Sequence, residues 1–329
     1  MSIISTKKIV KPLFITSLLC LFSVNVFSLE SEENSIEKLV EDNYPQKVKS
    51  LDIPEEMVFA GSTISLTRYD MRERFDRELL SFCYMHSTTF LLIKRANLYF
   101  PIIEPILREN GIPDDFKYLA LIESYFNPRA VSPAKAAGIW QFMPATGQMY
   151  DLEINDQVDE RFNLEKETVA ACKYFKDAYA IYGDWSTVAA SYNIGTSRLS
   201  QELEKQQVKN SFDLYLNEET SRYVFRILAA KEILSFPRHY GFIVRKEHLY
   251  HTIRTDTVEI NNSIENWPEW AKNYGITFAQ LKDFNLWIRD IKLDNPDCKI
   301  YQIKIPYKED LEFDLRKVNI QNRKNFLED

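Results

Sequence analysis

Apolar residues recur at intervals of three and four along the stretch from Met71 to Asn110 (Met71, Phe75, Leu79, Phe82), the period of amphipathic helices that turn one face inward. The period returns in "IPDDFKYLALIES". Pro113, Asp114 and Asp115 suit a helix's first turn, because proline needs no hydrogen-bond partner there and acids favour the positive end of the helix dipole. The inward stripe runs through Phe116, Leu119 and Ala120, and the same spacing carried onward lands on Glu123. A carboxylate on the core side of a greasy helix is the first sign of chemistry.

Further on, "EKETVAACKYFKDAYAIYGDWSTVAASYNIG" reads as two helices separated at Gly183-Asp184, with Gly195 closing the second. Another helix, "EETSRYVFRILAAKEILSF", ends at Pro237. Little before residue 245 alternates like a strand, so this part is mainly α. After it, "LYHTIRT" looks like a strand, "WPEWAKNYG" and "TFAQLKDFN" like short helices, and "YQIKIP" like a closing strand. Those four segments form a small βααβ unit, and a charged tail over 308–329 follows.

With 329 residues, 45% of them hydrophobic and 13% aromatic, the chain has apolar surface enough for about two domains. Residues 1–28 have the form of a secretory signal: Lys7, Lys8 and Lys11, an apolar run from Leu13 to Val24, and small or tolerated residues before a cleavage point after Ser28. Cys20 follows Leu19 inside that run, where a lipidation signal would carry a small residue. Cleavage removes three lysines and no acid, taking the formal charge from −7 to −10. An acidic exported chain is a poor ligand for nucleic acid, which is excluded as a partner. Cys83, Cys172 and Cys298 are odd in number and widely spaced, giving neither a disulfide framework nor a zinc pattern, and Cys172 in "VAACKYF" reads as a buried helix position. None of the four histidines lies beside a plausible set of metal ligands, so neither metal nor organic cofactor is expected.

Residues 29–69 read as a polar, glutamate-rich leader and an N-terminal helical extension. Glycine narrows the search for a cleft: of only eight in the chain, Gly138, Gly147, Gly183 and Gly195 crowd one segment.

Here the residues resemble a known family. "IESYFNPRAVSPAKAAGIWQFMPATG" followed by "AASYNIG" is similar to the lytic transglycosylases with a soluble-transglycosylase-type domain, most like their membrane-bound D subgroup, with the domain spanning 70–240. The resemblance implies a lysozyme-like (α+β), mainly helical domain. It assigns Glu123-Ser124 to the family's Glu-Ser pair, with Glu123 as the catalytic acid. Gly138, Gln141, Met143, Pro144 and Thr146 match its G-x-x-Q-x-M-P-x-T block; Tyr192-Asn193 lies in its A-Y-N-x-G block; Glu219 and Tyr223 match its E-T-x-x-Y element.

The implied reaction breaks the β-1,4 bond between N-acetylmuramic acid and N-acetylglucosamine in peptidoglycan strands and closes a 1,6-anhydro ring, with one glutamate serving as acid and then base. An acid that must stay protonated near neutrality needs burial, which lifts a carboxyl from about 4.3 toward about 6. In this assignment Tyr192 hydrogen-bonds Glu123 and Ser124 orients backbone or substrate. Gln141 and Asn193 meet N-acetyl groups, Trp140 and Met143 wall a sugar, and Glu219 and Tyr223 stand across the cleft. Trp140 and Met143 are equally residues that a hydrophobic core would hold.

Three positions depart from the pattern: Ser191 for alanine, Ile194 for a small residue, and Asn217 for the proline before Glu-Thr. The unit over 249–307 resembles a degenerate LysM-like domain, of whose usual Gly-Asp-Thr-Leu start only Thr255-Asp256-Thr257 is left. Glycan strands are the implied partner and the periplasm or cell envelope, with membrane association left open, the implied location. A goose-type hydrolytic lysozyme and a wall-binding scaffold without activity are the alternatives.

Overall fold

The computed structural model describes residues 50–318 and residue 320, so the signal, most of the leader and the end of the charged tail lie outside it. Where a leader and helical extension were expected, residues 56–65 form a hairpin: β1 (Glu56–Phe59) pairs antiparallel with β2 (Ser62–Ser65). Ala60 and Gly61 turn it with φ of 50° and 83°, the twist that two-residue hairpins favour. Period-two alternation explains the strands, since Met57, Phe59 and Ile64 point inward while their neighbours face solvent.

Among the described residues eight α-helices follow: α1 (Tyr69–Tyr84), α2 (His86–Glu109), α3 (Lys117–Ser124), α4 (Pro144–Met149), α5 (Leu164–Tyr182), α6 (Trp185–Ile194), α7 (Thr196–Gln206) and α8 (Glu218–Ser235). Side-chain caps fix the starts of α5, α6 and α8. Asn163 accepts from the Lys166 amide at 3.2 Å, Asp184 from Thr187 at 2.8 Å and Asn217 from Thr220 at 2.9 Å. Asn217, unusual for the family's loop, thus supplies the cap of α8. Helix α8 is the centre of the core: Tyr223, Val224, Phe225, Ile227, Leu228, Ala229, Ala230, Ile233 and Leu234 are buried nearly all round it, as expected of a helix packed on several sides. Phe59 of the hairpin reaches Phe116 beneath α3, with ring centroids 5.7 Å apart. Cys172 is fully buried in α5.

The C-terminal unit runs β3 (Thr255–Ile260), α9 (Trp267–Asn273), α10 (Phe278–Phe284) and β4 (Tyr301–Pro306), with Thr255 opposite Pro306 and Ile260 opposite Tyr301. Its first strand starts later than "LYHTIRT" suggested. Leu249 packs in the main core, and only from Thr255 does the chain meet β4.

This unit is seated on the helical part. Its core around Trp267, Ile288 and Ile303 takes in Ala137, Val158 and Phe162. The seam carries backbone bonds from Asp159 N to Trp287 O (2.9 Å) and Arg289 N to Gln157 O (2.8 Å), and Lys304 pairs with Glu165. No helix among the described residues is long and apolar enough to cross a membrane.

Candidate active site

Helix α3 is short and buried almost all round, through Tyr118, Leu119, Ala120, Leu121 and Ile122, so a side chain in its last turn enters dense protein. Tyr125 and Phe126, both at φ 51°, reverse the chain directly after it. Two successive aromatic residues in the left-handed region are strained. The reversal is held by the Tyr125 amide on Leu121 O (2.8 Å), by Arg95 on Tyr125 O (2.9 Å) and by the complete burial of Phe126.

Glu123 projects from that end, partly exposed. Its Oε1 accepts a hydrogen bond from the hydroxyl of Tyr223, which α8 delivers from its buried face. Burial pushes the Glu123 carboxyl up to about 7. The Tyr223 hydrogen bond and the Arg226 charge resist the rise, and the nearby Glu219 charge adds to it.

Tyr192 does not make the hydrogen bond expected of it. Its hydroxyl donates to the carbonyl of Trp140 at 2.8 Å, and its ring is wedged among Tyr174, Phe175 and Phe142. The carbonyl of a buried turn needs a donor, and Tyr192 supplies it. Glu123 remains close enough that its charge, after burial, helps hold the Tyr192 phenol far above its ordinary range. The hydroxyl on the acid belongs to Tyr223, which the sequence set across the cleft.

The turn over residues 137–142 is clamped from behind. Ala137 and Phe142 exchange backbone bonds at 3.0 Å, and Gln141, at φ 51°, binds back through its amide nitrogen to Gly138 O at 2.7 Å and Ala130 O at 3.3 Å. Glu167 of α5 accepts from the amides of Ile139 (3.2 Å) and Trp140 (3.0 Å). Arg161 holds Lys135 O and Phe142 O while paired with Asp159. Gly138 is obligatory: at φ 85°, a Cβ would lie 1.8 Å from Arg161 O and 2.4 Å from Glu167 Oε2.

The remaining sequence candidates divide. Trp140 is fully buried, its indole donating to Thr168 Oγ1 at 2.8 Å, so it cannot wall a sugar; its role is to anchor the turn. Met143 is 43% exposed, Asn193 partly exposed and Glu219 exposed. Ser124 is buried, and its Oγ has no hydrogen-bond partner among the described residues. The structure therefore gathers Glu123, Tyr223 and Tyr192 with the Gln141 turn, and leaves Met143, Asn193 and Glu219 toward the surface.

Glu167 escaped sequence analysis because an acid in "LEKET" reads as a first-turn charge on the dipole. Its signal was its register: Ala170, Ala171 and Tyr174 follow at three, four and seven residues, all buried. Burial holds its carboxyl well above the ordinary range, opposed by the two amides. Among the described residues, no group of three or more His, Cys, Asp or Glu is placed to hold a metal ion.

Comparison with known proteins bears on this arrangement. Residues 100–214 match the transglycosylase SLT domain, and residues 256–309 match the soluble lytic transglycosylase C-terminal LysM-like domain. The chain belongs to the SLT-domain transglycosylases. The SLT match contains Glu123, Gln141 and Tyr192, while Tyr223 lies beyond its end, on α8.

Membrane-bound lytic murein transglycosylase D of Escherichia coli strain K12 is 30% identical over 224 residues, covering 67% of this chain and 48% of that protein; its counterpart from strain CFT073 gives the same figures. The chain thus spans about half the length of the curated relatives it matches. The 70-kDa soluble lytic transglycosylase of Escherichia coli superposes on 43% of the chain and 24% of its own, at 22% identity and a TM-score of 0.36.

Proposed function

We propose that this protein is an exported lytic transglycosylase of the periplasm or cell envelope, cutting the β-1,4 bond between N-acetylmuramic acid and N-acetylglucosamine with Glu123 alone as acid and base. The curated relatives, named as membrane-bound murein transglycosylases, support both the substrate and the location. The observation that carries the reading is the state of Glu123. A carboxyl titrating at about 7 is part protonated and part ionised near neutral pH, as a group that must first give and then take a proton requires.

The residues divide the work as follows. Tyr223 donates to Oε1, which leaves Oε2 to carry the proton toward the glycosidic oxygen. As the proton transfers, the C1–O4 bond breaks and its electron pair leaves on the oxygen. The substrate's N-acetyl group shields the cation at C1, a substrate-assisted variant of glycosidase chemistry. The Glu123 carboxylate, stabilised by the Tyr223 hydroxyl and the Arg226 charge, then takes the C6 hydroxyl proton while that oxygen closes on C1. A two-carboxylate route would need a second free acid. Glu167 is occupied by two backbone amides and is not available for that role. Gln141, with its nitrogen tied to backbone, presents its carbonyl oxygen to the substrate's amide hydrogens.

Mass spectrometry of digested peptidoglycan tests the reading. Anhydro ends, lighter by one water than reducing ends, are expected; reducing ends alone would make the enzyme a hydrolase, and no release would make it a binding protein.

A further inference from the structure

The seam between the helical part and the C-terminal unit carries charges that the reaction does not use. Lys282 lies on α10, partly buried, with no hydrogen bond and no ion pair among the described residues. Two guanidinium groups bear on it. Arg129 comes from the loop after α3 and pairs with Asp283, the next residue on α10, both side chains being exposed. Arg289 comes from the segment that binds Gln157 O, and its Cζ stands 4.5 Å from the centre of the buried Phe162 ring. It too meets no carboxylate at ion-pair distance among the described residues.

Burying an ammonium is costly unless an opposite charge offsets the lost hydration. At Lys282 the neighbours add to the cost: burial first, then the charges of Arg289 and Arg129, push its ammonium down to about 8. Three cations and the Asp283 carboxylate leave two positive charges in excess, within a chain whose formal charge is −7. Lys117 shows the contrast. Buried more deeply, it is held between Glu104, at 2.7 Å, and Asp114. Lys282 lacks any such counter-charge.

An anion from outside the chain would supply it. Guanidinium groups grip tetrahedral oxyanions through paired N–H bonds, and an ammonium adds a point charge. A phosphate monoester, with a charge of about −1.5 to −2 near neutral pH, balances the excess, whereas a carboxylate would leave one positive charge over. We propose that Arg129, Lys282 and Arg289 form a binding site for a phosphate group, borne by a small soluble ester or by the headgroup of an anionic lipid. Binding there needs nothing from Glu123, so it can be measured apart from turnover.

Calorimetry on the full chain, titrated with inorganic phosphate at pH 7 against a chloride blank of equal ionic strength, should show saturable binding. Lys282→Gln and Arg289→Gln should each weaken it about tenfold, the scale of one charge-assisted hydrogen bond, and Lys282→Arg should keep most of it. In phosphate-free buffer Lys282→Gln should melt above the unmodified chain, because an unpaired charge is gone, and added phosphate should raise the melting temperature of the unmodified chain but not of this variant. Sedimentation with vesicles separates the two sources. Binding to phosphatidic acid in phosphatidylcholine, absent on phosphatidylcholine alone and lost in Lys282→Gln, assigns the lipid headgroup; phosphate binding without vesicle binding assigns a soluble ester. No saturable phosphate binding, or equal affinity in the unmodified chain and both glutamine variants, would overturn the site and leave Lys282 an ordinary solvated lysine.

Discussion

The hydroxyl of Tyr223 donates to Oε1 of Glu123 across a separation of 100 residues, joining the end of α3 to the middle of α8. Because hydrogen bonding to the ionised form stabilises it, this contact holds the carboxyl lower than burial alone would. Tyr223 therefore sets how much proton Glu123 holds at neutral pH.

Tyr223→Phe should raise the Glu123 pKa above about 7 and move the pH optimum of turnover upward. Activity at neutral pH should fall as the base step loses its ionised form. Tyr192→Phe acts elsewhere. It strands the Trp140 carbonyl, which should cost about 1–3 kcal/mol of stability with a smaller change in the pH profile. A pH–rate profile beside a denaturation curve for each variant checks the contrast, and equal profile shifts would refute it.

Glu123→Gln should stop release of muropeptides, by about 100-fold or more, while the circular dichroism spectrum and wall binding persist. Turnover at the native rate would remove Glu123 from the mechanism.

Stability should follow the same titration. The Glu123 carboxyl has a folded-state pKa raised above its unfolded value, so its contribution is present below about 4.5 and is lost as pH rises through about 7. Glu167, raised in the same direction, adds to the slope. Glu123→Gln should flatten the decline, making the variant the more stable protein above pH 7 by on the order of 2 kcal/mol. Melting temperatures across pH 5–8 measure the difference.

Glu167→Ala should destabilise the fold by about 2–4 kcal/mol, since two buried amides lose their acceptor, and Glu167→Gln, which keeps one oxygen, by less. Gly138→Ala should be worse than either, because the new methyl group meets backbone at Arg161 in a conformation L-residues avoid. Urea titration ranks the three.

The C-terminal unit should behave as a buttress. Truncation after residue 254, which keeps Leu249 in the main core, would uncover Ala137, Val158 and Phe162 and cut the backbone bonds at 157–159, beside the Asp159–Arg161 pair that holds the cleft turn. The shortened chain should melt at lower temperature and lose activity on soluble strands, where a detachable wall-binding module would leave both unchanged.

Period and spacing in the sequence marked most of the helices, though not α4 or α7, because burying one face is a local demand that every third or fourth residue records. The same register put Glu123 on the core side, and the glycines crowded between 138 and 195 marked where a cleft would lie. The hairpin at 56–65 went unread because two four-residue strands are too short for alternation to stand out beside a polar leader. Which hydroxyl meets Glu123, what Trp140 does and why Glu167 is buried were decided only by tertiary structure. Each depends on which of several buried donors lies nearest a given acceptor, and sequence distance, 100 residues for Tyr223 and 27 for Glu167 to Trp140, carries no trace of that proximity.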